Sequence, residues 1–306
     1  MAKVLLTGAT GFLGKNIEPI LSQKHEVVGI GSDFYDLRRQ TDVCNLLDSE
    51  KPDVIVHAAG TVGGILANSE NPARFMYDNL IMGANLIEYA SQFKIKKFIL
   101  IGTVCAYPKY TSVPFREEDL WSGYPEETNA PYGIAKKTLM KLVETYHSQY
   151  GLNGVNLIPV NMYGPHDHFN LTSSHVIPAL ILKFHEAIKN KQDVTVWGTG
   201  NASREFLYAP DFGKAVLTAI QKSVGPEPIN IGTGREIKII DLAEIIANIM
   251  GFEGTIFFDS SKPDGQPRRC VDVFRSKKLL GFEAKTPLAE GLKQTIKWFK
   301  EREKNI

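Results

Sequence analysis

Tyr132-Gly-Ile-Ala-Lys136 sets a phenol and an amine four residues apart. On a helix both project from one face, about one turn from each other. An ammonium beside a phenol favours the phenolate and lowers its pKa, which suits proton exchange with a sugar hydroxyl or ketone. Upstream, Thr103 follows the apolar run Lys97 to Ile101, where its hydroxyl can meet a substrate oxygen. Near the start, Gly8-Ala-Thr-Gly11-Phe-Leu-Gly14 also follows an apolar run. Its first glycine allows a tight turn, the second lets backbone approach a pyrophosphate, and the third lets a helix pack close to a strand. The N–H groups opening that helix then face the anion. Each feature is common by itself; a phosphate loop, a hydroxyl and a Tyr–Lys pair in this chain order point to dinucleotide-dependent chemistry on an oxygen-bearing carbon.

The elements that must position these groups alternate. Strand patterns fall at Lys3 to Thr7, Glu26 to Ile30, Asp53 to His57, Lys97 to Ile101 and Val155 to Pro159. Helical spacing falls between them at Phe12 to Ser22, Arg38 to Ser49, Pro72 to Gln92 and Thr128 to Tyr150. This rhythm predicts βαβ units, and apolar runs without alternation predict parallel strands covered on both faces. The expected fold is α/β: a doubly wound, Rossmann-type parallel sheet over 1–161, partly completed by later segments. A smaller C-terminal α/β substrate lobe is expected over 162–306. There the rhythm changes: Tyr163 to Ser174 reads as loop, Val176 to Lys189, Ile240 to Met250 and Leu288 to Glu303 as helices, and Asp193 to Trp197, Arg204 to Tyr208 and Ile229 to Ile231 as strands.

The end of the second strand usually sorts the cofactor. An acid there holds the ribose 2′-hydroxyl of NAD, and its absence beside a basic group suits the 2′-phosphate of NADP. Ile30-Gly31-Ser32-Asp33 leaves room at Gly31 and Ser32, sets Asp33 late, and has Arg38 and Arg39 nearby. The expectation is NADP(H), with NAD(H) still allowed by a one-residue shift.

Composition removes other classes. The 306 residues are 43% hydrophobic and 23% charged with a net charge of +1, ordinary for a globular chain and without the basic excess of a nucleic-acid or membrane-surface binder. No run of about 18 apolar residues suggests a membrane span, and Met1 to Leu6 enters a strand pattern with no signal-peptide architecture. Cys44, Cys105 and Cys270 have no CxxC spacing, and no HExxH pair occurs, so neither a disulfide framework nor a metal site is expected. The simplest compartment is the cytoplasm.

GATGFLG, His57-Ala-Ala-Gly60, Thr103 and Tyr132-x-x-x-Lys136 together resemble the extended short-chain dehydrogenase/reductases. Further motifs resemble the GDP-L-fucose synthase branch: Val62-Gly-Gly-Ile-Leu-Ala-Asn68, Gly102-Thr-Val-Cys105-Ala-Tyr-Pro108, Asn161-Met-Tyr-Gly-Pro-His-Asp167, Ser174-His-Val-Ile-Pro-Ala-Leu180, Trp197-Gly-Thr-Gly-x-x-x-Arg204 and Lys262-Pro-Asp-Gly-Gln-Pro-Arg268. The resemblance spans nearly the whole chain. It implies epimerisation of GDP-4-keto-6-deoxy-D-mannose at C3 and C5, then reduction at C4 by NADPH. It implies Thr103, Cys105, Tyr132, Lys136 and His175 as catalytic residues, Cys105 being the epimerisation base and His175 the acid. It places Gly8, Thr10, Gly11, Phe12, Leu13, Gly14, Ser32, Asp42, Ala58, Ala59, Gly60, Asn79, Ile101, Gly102, Thr103, Tyr132, Lys136, Pro159, Asn161, Met162 and His175 around the cofactor, and Lys183, Trp197, Arg204 and Asp264 around the GDP-deoxyhexose. It also implies a homodimer through the two long helices, Pro72–Gln92 and Thr128–Tyr150.

Four positions depart from the branch pattern. Thr103 stands where Ser is common, Val104 where a small polar residue is, Thr10 where a basic residue often is, and Tyr208-Ala-Pro-Asp211 replaces His-Val-Asp-Asp. Alternatives are a reductase or epimerase for another NDP-4-keto-deoxy sugar, and a non-catalytic dinucleotide sensor. A 4,6-dehydratase would want an acid pair after the fourth strand, which Thr103-Val104-Cys105 lacks. A sensor has no need of the Tyr–Lys pair.

Overall fold

The structure is a computed structural model describing residues 1–171, 174–262 and 264–304, without the side chains of Ile65 and Leu66. Thr172 and Ser173 of the expected loop, Pro263 of the Lys262–Arg268 motif and the last two residues of the C-terminal lobe lie outside the described residues.

The first half follows the expected alternation: β1 (Lys3–Thr7), α1 (Phe12–Leu21), β2 (Glu26–Ile30), α2 (Gln40–Glu50), β3 (Val54–His57), α3 (Ile65–Glu70), α4 (Pro72–Gln92), β4 (Lys97–Ile101), α5 (Ala130–Tyr150) and β5 (Gly154–Pro159). The rest comprises β6 (Asn161–Tyr163), α6 (Val176–Asn190), β7 (Val194–Trp197), β8 (Ser203–Tyr208), α7 (Ala209–Gln221), β9 (Ile229–Ile231), β10 (Glu236–Lys238), α8 (Ile239–Met250), β11 (Ile256–Asp259), β12 (Arg268–Arg269) and α9 (Leu288–Glu303).

One all-parallel sheet has the order β2-β1-β3-β4-β5-β9. Chain order reverses at β1, which pairs with β2 on one side and β3 on the other. A crevice opens beyond the carboxyl ends of the strands at such a switch point. β3, β4 and β5 are buried at every residue, as non-alternating strands with both faces covered must be. β2, at one edge, is half exposed, whereas β9 at the other edge is covered.

The sheet's core draws on the second half of the chain. Phe212, Ala215 and Val216 of α7, Ile229 and Ile231 of β9, and Val271 join the cluster around Val4, Ile55, Ile99 and Val155. Lys97 secures α7: its ammonium donates to the carbonyls of Ala219, Ile220 and Lys222 at 3.0, 3.0 and 2.6 Å. Those carbonyls end the helix, where a cation complements the dipole. A second cluster, including Tyr163, Ile181, Phe184, Val196, Leu242, Ile246 and Phe299, forms the core of the smaller lobe.

Glu205 on β8 stitches the two together. Its fully buried carboxylate accepts from the backbone N–H of Gly234 at 2.7 Å and Val271 at 2.8 Å, and also from Thr233. A Gln there would turn an NH2 group towards at least one of these donors. Leaving a buried donor unpaired costs about 1–3 kcal/mol. Glu205→Gln is therefore expected to lower unfolding stability by about 2 kcal/mol in urea titration; an unchanged midpoint would contradict this account of the lobe junction.

Candidate active site

The phosphate loop turns at Gly8, whose φ of +71° suits glycine. A Cβ on Gly14 would lie 2.2 Å from the Gly8 carbonyl oxygen and 2.4 Å from the Ala9 Cα, so α1 can sit this close to β1 only with glycine there. Gly11 caps α1 without a side chain, leaving the N–H groups of the first turn to the cleft that Phe12 and Leu13 line. Opposite, Thr7 Oγ1 accepts from Ala59 N–H at 3.1 Å and meets His57 Nδ1 at 2.9 Å. That buried network fixes the turn Ala58–Gly60 after β3. Burial drives His57 well below the ordinary imidazole pKa, so it serves as a neutral strut.

A single cleft of about 960 Å³ runs from this switch point into the smaller lobe. Gly8, Thr10, Gly11, Ser32, Ala58, Ala59, Gly60, Ile101, Gly102, Pro159, Asn161 and Met162 line one end. Thr103, Cys105, Tyr132, Lys136 and His175 line its middle, and Lys183, Trp197, Arg204 and Asp264 the other end. Three expected cofactor residues stand behind the wall. Gly14 acts through close packing. Asp42 accepts from Asp36 N–H at 3.0 Å, bracing the loop after β2. Asn79 is buried and donates to the carbonyls of Thr61 and Phe75 at 2.8 and 2.7 Å, holding the post-β3 turn.

The Tyr–Lys pair does not behave as its spacing predicts. Lys136 is buried and donates to the Ile101 carbonyl at 3.2 Å. Burial pushes Tyr132 upward, the neighbouring Cys105 adds to this, and only a hydrogen bond with Thr103 opposes it. The expected lowering of the phenol by the ammonium does not emerge here: desolvation outweighs it and moves Tyr132 in the opposite direction. Lys136 itself is lowered to about 8 by burial. Between pH 8 and its unfolded value the folded chain binds fewer protons than the unfolded one, so stability there rises with pH. The wild type should gain on Lys136→Met across pH 8–10 by on the order of 1 kcal/mol per pH unit, measured by denaturation without added cofactor. A constant difference would reject the buried-ammonium assignment.

Thr103 begins a short turn, Val104–Ala106, and its hydroxyl accepts from Cys105 N–H at 3.2 Å. The same hydroxyl is hydrogen-bonded to Tyr132. Gly133 brings α5 against this turn: a Cβ there would lie 2.4 Å from the Cys105 carbonyl oxygen. The phenol, hydroxyl and thiol thus converge because one glycine follows Tyr132. His175, at the N-cap of α6, also lines the cleft; although the residue is solvent-exposed, the protein packed around its ring and the nearby His168 lower its pKa. A neutral imidazole takes up a proton and, as imidazolium, can pass it on.

At the far end, the Trp197 ring is exposed, with the Lys183 and Lys262 ammoniums 5.3 and 5.7 Å from its centroid. Asp264 is occupied by Thr199, accepting from its N–H at 2.7 Å and its hydroxyl at 2.8 Å. Arg204 donates to the carbonyls of Ser203 and Asp264 at 2.7 and 3.2 Å. Burial and the adjacent Arg269 lower its pKa to about 10.

Sequence reasoning missed several lining residues. Glu126, Thr128 and Asn129 form a hydrogen-bonded triplet just before Tyr132. Arg74 and Asp78 join Arg38 in a chain of ion pairs: Arg38 forks onto Asp36 at 2.9 Å and reaches Asp78 at 3.2 Å, and Arg74 reaches Asp78 at 3.5 Å. Asp36, held down to about 2 by Arg38, lines the cleft where Asp33 does not. Arg39 is largely exposed and lies 3.8 Å from Asp36. Gln266 and Arg269 also line the cleft. Cys270 is buried and raised to about 12, and His166 packs on Trp298.

No helix among the described residues is long and apolar enough to cross a membrane. Residues 4–232 match the model of the NAD dependent epimerase/dehydratase family. A GDP-L-fucose synthase of Sinorhizobium fredii (strain NBRC 101917 / NGR234) is 43% identical over 97% of this chain and 95% of its own. The GDP-L-fucose synthase of Escherichia coli (strain K12) is 39% identical over 98% of this chain and 97% of its own. Among solved structures, an NADP-bound GDP-L-fucose synthetase from Naegleria fowleri superposes with a TM-score of 0.92 at 30% identity, covering 99% of this chain and 93% of that one. With these matches spanning nearly the whole chain, it belongs to the NAD dependent epimerase/dehydratase family, in the branch of the GDP-L-fucose synthases.

Proposed function

We propose that the chain converts GDP-4-keto-6-deoxy-D-mannose to GDP-L-fucose with NADPH, epimerising C3 and C5 and reducing C4. The observation that carries this is the presence, in one cleft, of a thiol and an imidazole beside a complete ketone-reducing set. A plain C4 reductase needs Thr103, Tyr132 and Lys136 alone. Cys105 and His175 supply a second proton-transfer pair, which epimerisation requires.

The cradle fits a dinucleotide: the Gly8 turn and uncapped α1 suit a pyrophosphate, and Lys136 suits the nicotinamide ribose. When bound, the nicotinamide supplies a hydride to C4. Arg38 and Arg74, which line the same cleft as Ser32, support NADP(H) over NAD(H). In each epimerisation the Cys105 thiolate takes the proton at C3 or C5; the C–H bond breaks, an S–H bond forms, and the electron pair enters the enolate. Thr103 and Tyr132 donate to its oxygen, stabilising charge where it develops. His175, protonated from solvent, returns a proton to the opposite face and is left neutral; exchange with water then restores the Cys105 thiolate and the His175 imidazolium before the second carbon reacts. In the reduction Tyr132 gives its proton to O4. Arg204 and Lys183 hold the diphosphate by charge-assisted hydrogen bonds, and Trp197 offers an apolar face to the guanine.

Three free cysteines fit a reducing cytoplasm, and the long helices α4 and α5 are the surface through which a homodimer forms. The deciding experiment follows NADPH and NADH oxidation at 340 nm with GDP-4-keto-6-deoxy-D-mannose in D2O, with the product resolved by NMR. GDP-L-fucose carrying deuterium at C3 and C5 is expected. Oxidation giving GDP-D-rhamnose or its C4 epimer without exchange would leave a reductase and remove the epimerase.

A further inference from the structure

A sulfur that acts as a base must hold negative charge, and the active-site ammonium, Lys136, is turned to the Ile101 carbonyl. Another cation takes its place. Arg269 Nη1 lies 3.6 Å from Cys105 Sγ. Its other edge is anchored, with Nε and Nη2 donating to Gln266 Oε1 at 3.2 and 3.1 Å. Gln266 is buried, and its own amide donates to the Lys109 carbonyl at 2.9 Å. The fork is thus fixed so that Nη1 faces the sulfur. β12 runs parallel to β8 with Arg269 opposite Arg204. Two adjacent guanidiniums repel each other; Arg204 also feels the Cys105 charge, but its N–H groups are engaged by the Ser203 and Asp264 carbonyls, and from α5 the sulfur faces the Tyr132 phenol, so the direct N–H contact to the sulfur is that of Arg269.

We propose that Arg269, held by Gln266, is a positioning residue acting through Cys105: its guanidinium keeps the sulfur as the thiolate that removes the C3 and C5 protons, while Arg204 serves the diphosphate. This rests on the reading of Cys105 as the epimerisation base. The cation neutralises the sulfur's charge before the C–H bond breaks; afterwards Arg269 donates to a neutral thiol and the negative charge lies on the enolate oxygen, at Thr103 and Tyr132.

The test is the pH profile of Cys105 alkylation by iodoacetamide in the full chain, read by mass spectrometry of the Cys105 peptide, with Cys44 as internal reference. Arg269→Met should move the Cys105 midpoint at least one unit alkaline and slow deuterium exchange at C3 and C5 about tenfold at pH 7, with recovery as pH rises. Arg269→Lys should restore most of both, and Gln266→Leu should give a smaller shift in the same direction. An unmoved profile with a raised KM for the nucleotide sugar would make Arg269 a second diphosphate clamp and overturn the proposal. If Arg269→Met does not fold, an unmoved profile in Gln266→Leu overturns it. The titration needs no sugar, so a shifted profile in a chain that exchanges no proton of any GDP-4-keto sugar would keep the Arg–thiolate pairing and reject the substrate reading instead.

Discussion

Tyr132→Phe should lower kcat for C4 reduction by about a thousandfold, within the range of a lost general acid, with little change in folding. The phenol is half-buried, bonded to Thr103, and shifted upward by burial, so it enters the reaction with its proton in place. A donor is what O4 needs as hydride reaches C4. Phe keeps the ring against the Val104–Ala106 turn and removes only the hydroxyl. The enolate steps lose one of two donors and keep Thr103, so deuterium exchange should survive at a reduced rate while NADPH oxidation collapses. Turnover within tenfold of wild type would remove Tyr132 from the proton path.

Most of the sheet was legible because buried parallel strands are uninterrupted apolar runs, and a glycine loop between the first strand and helix is a local signal. α7 was not read, although Pro210 near its start, Asp211 in its first turn and the spacing of Phe212, Ala215, Val216 and Ala219 all mark a helix. Its Pro and Gly resemble loop punctuation, and its role depends on carbonyls that Lys97 reaches from β4. β6, β10, β11 and β12 span two to four residues each, too short to show a period.

The site divides in the same way. Residues on recognisable turns, such as Thr103 after β4 and His175 before α6, could be named from sequence. Electrostatics could not. Spacing on a helix put Lys136 beside Tyr132, but spacing carries no desolvation, and burial reverses the direction of the phenol's shift. Asp36 was overlooked for Asp33 because the loop after β2 folds back and is pinned by Asp42. Arg269 is 164 residues from Cys105, and the pairing of β12 with β8, the Phe115–Val271 bridge and the Gln266 bond to Lys109 bring them together.

Cys105→Ser should separate the two halves of the reaction. Serine preserves the size and the backbone contact with Thr103. A hydroxyl, though, is much less acidic than a thiol, and a guanidinium cannot make it an alkoxide near neutrality. Deuterium exchange at C3 and C5 should therefore fall by about a hundredfold or more. The reducing set is untouched, since neither Tyr132 nor Lys136 depends on the sulfur for a hydrogen bond. Losing a neighbouring negative charge also removes one of the causes raising Tyr132, so proton donation to O4 becomes easier. Hydride transfer then overtakes epimerisation, and the variant should release mainly sugar reduced at C4 with its original configuration at C3 and C5, identified by NMR. Equal loss of exchange and NADPH oxidation would mean that the sulfur shapes the ketone site for both reactions, and its assignment as the base would fall.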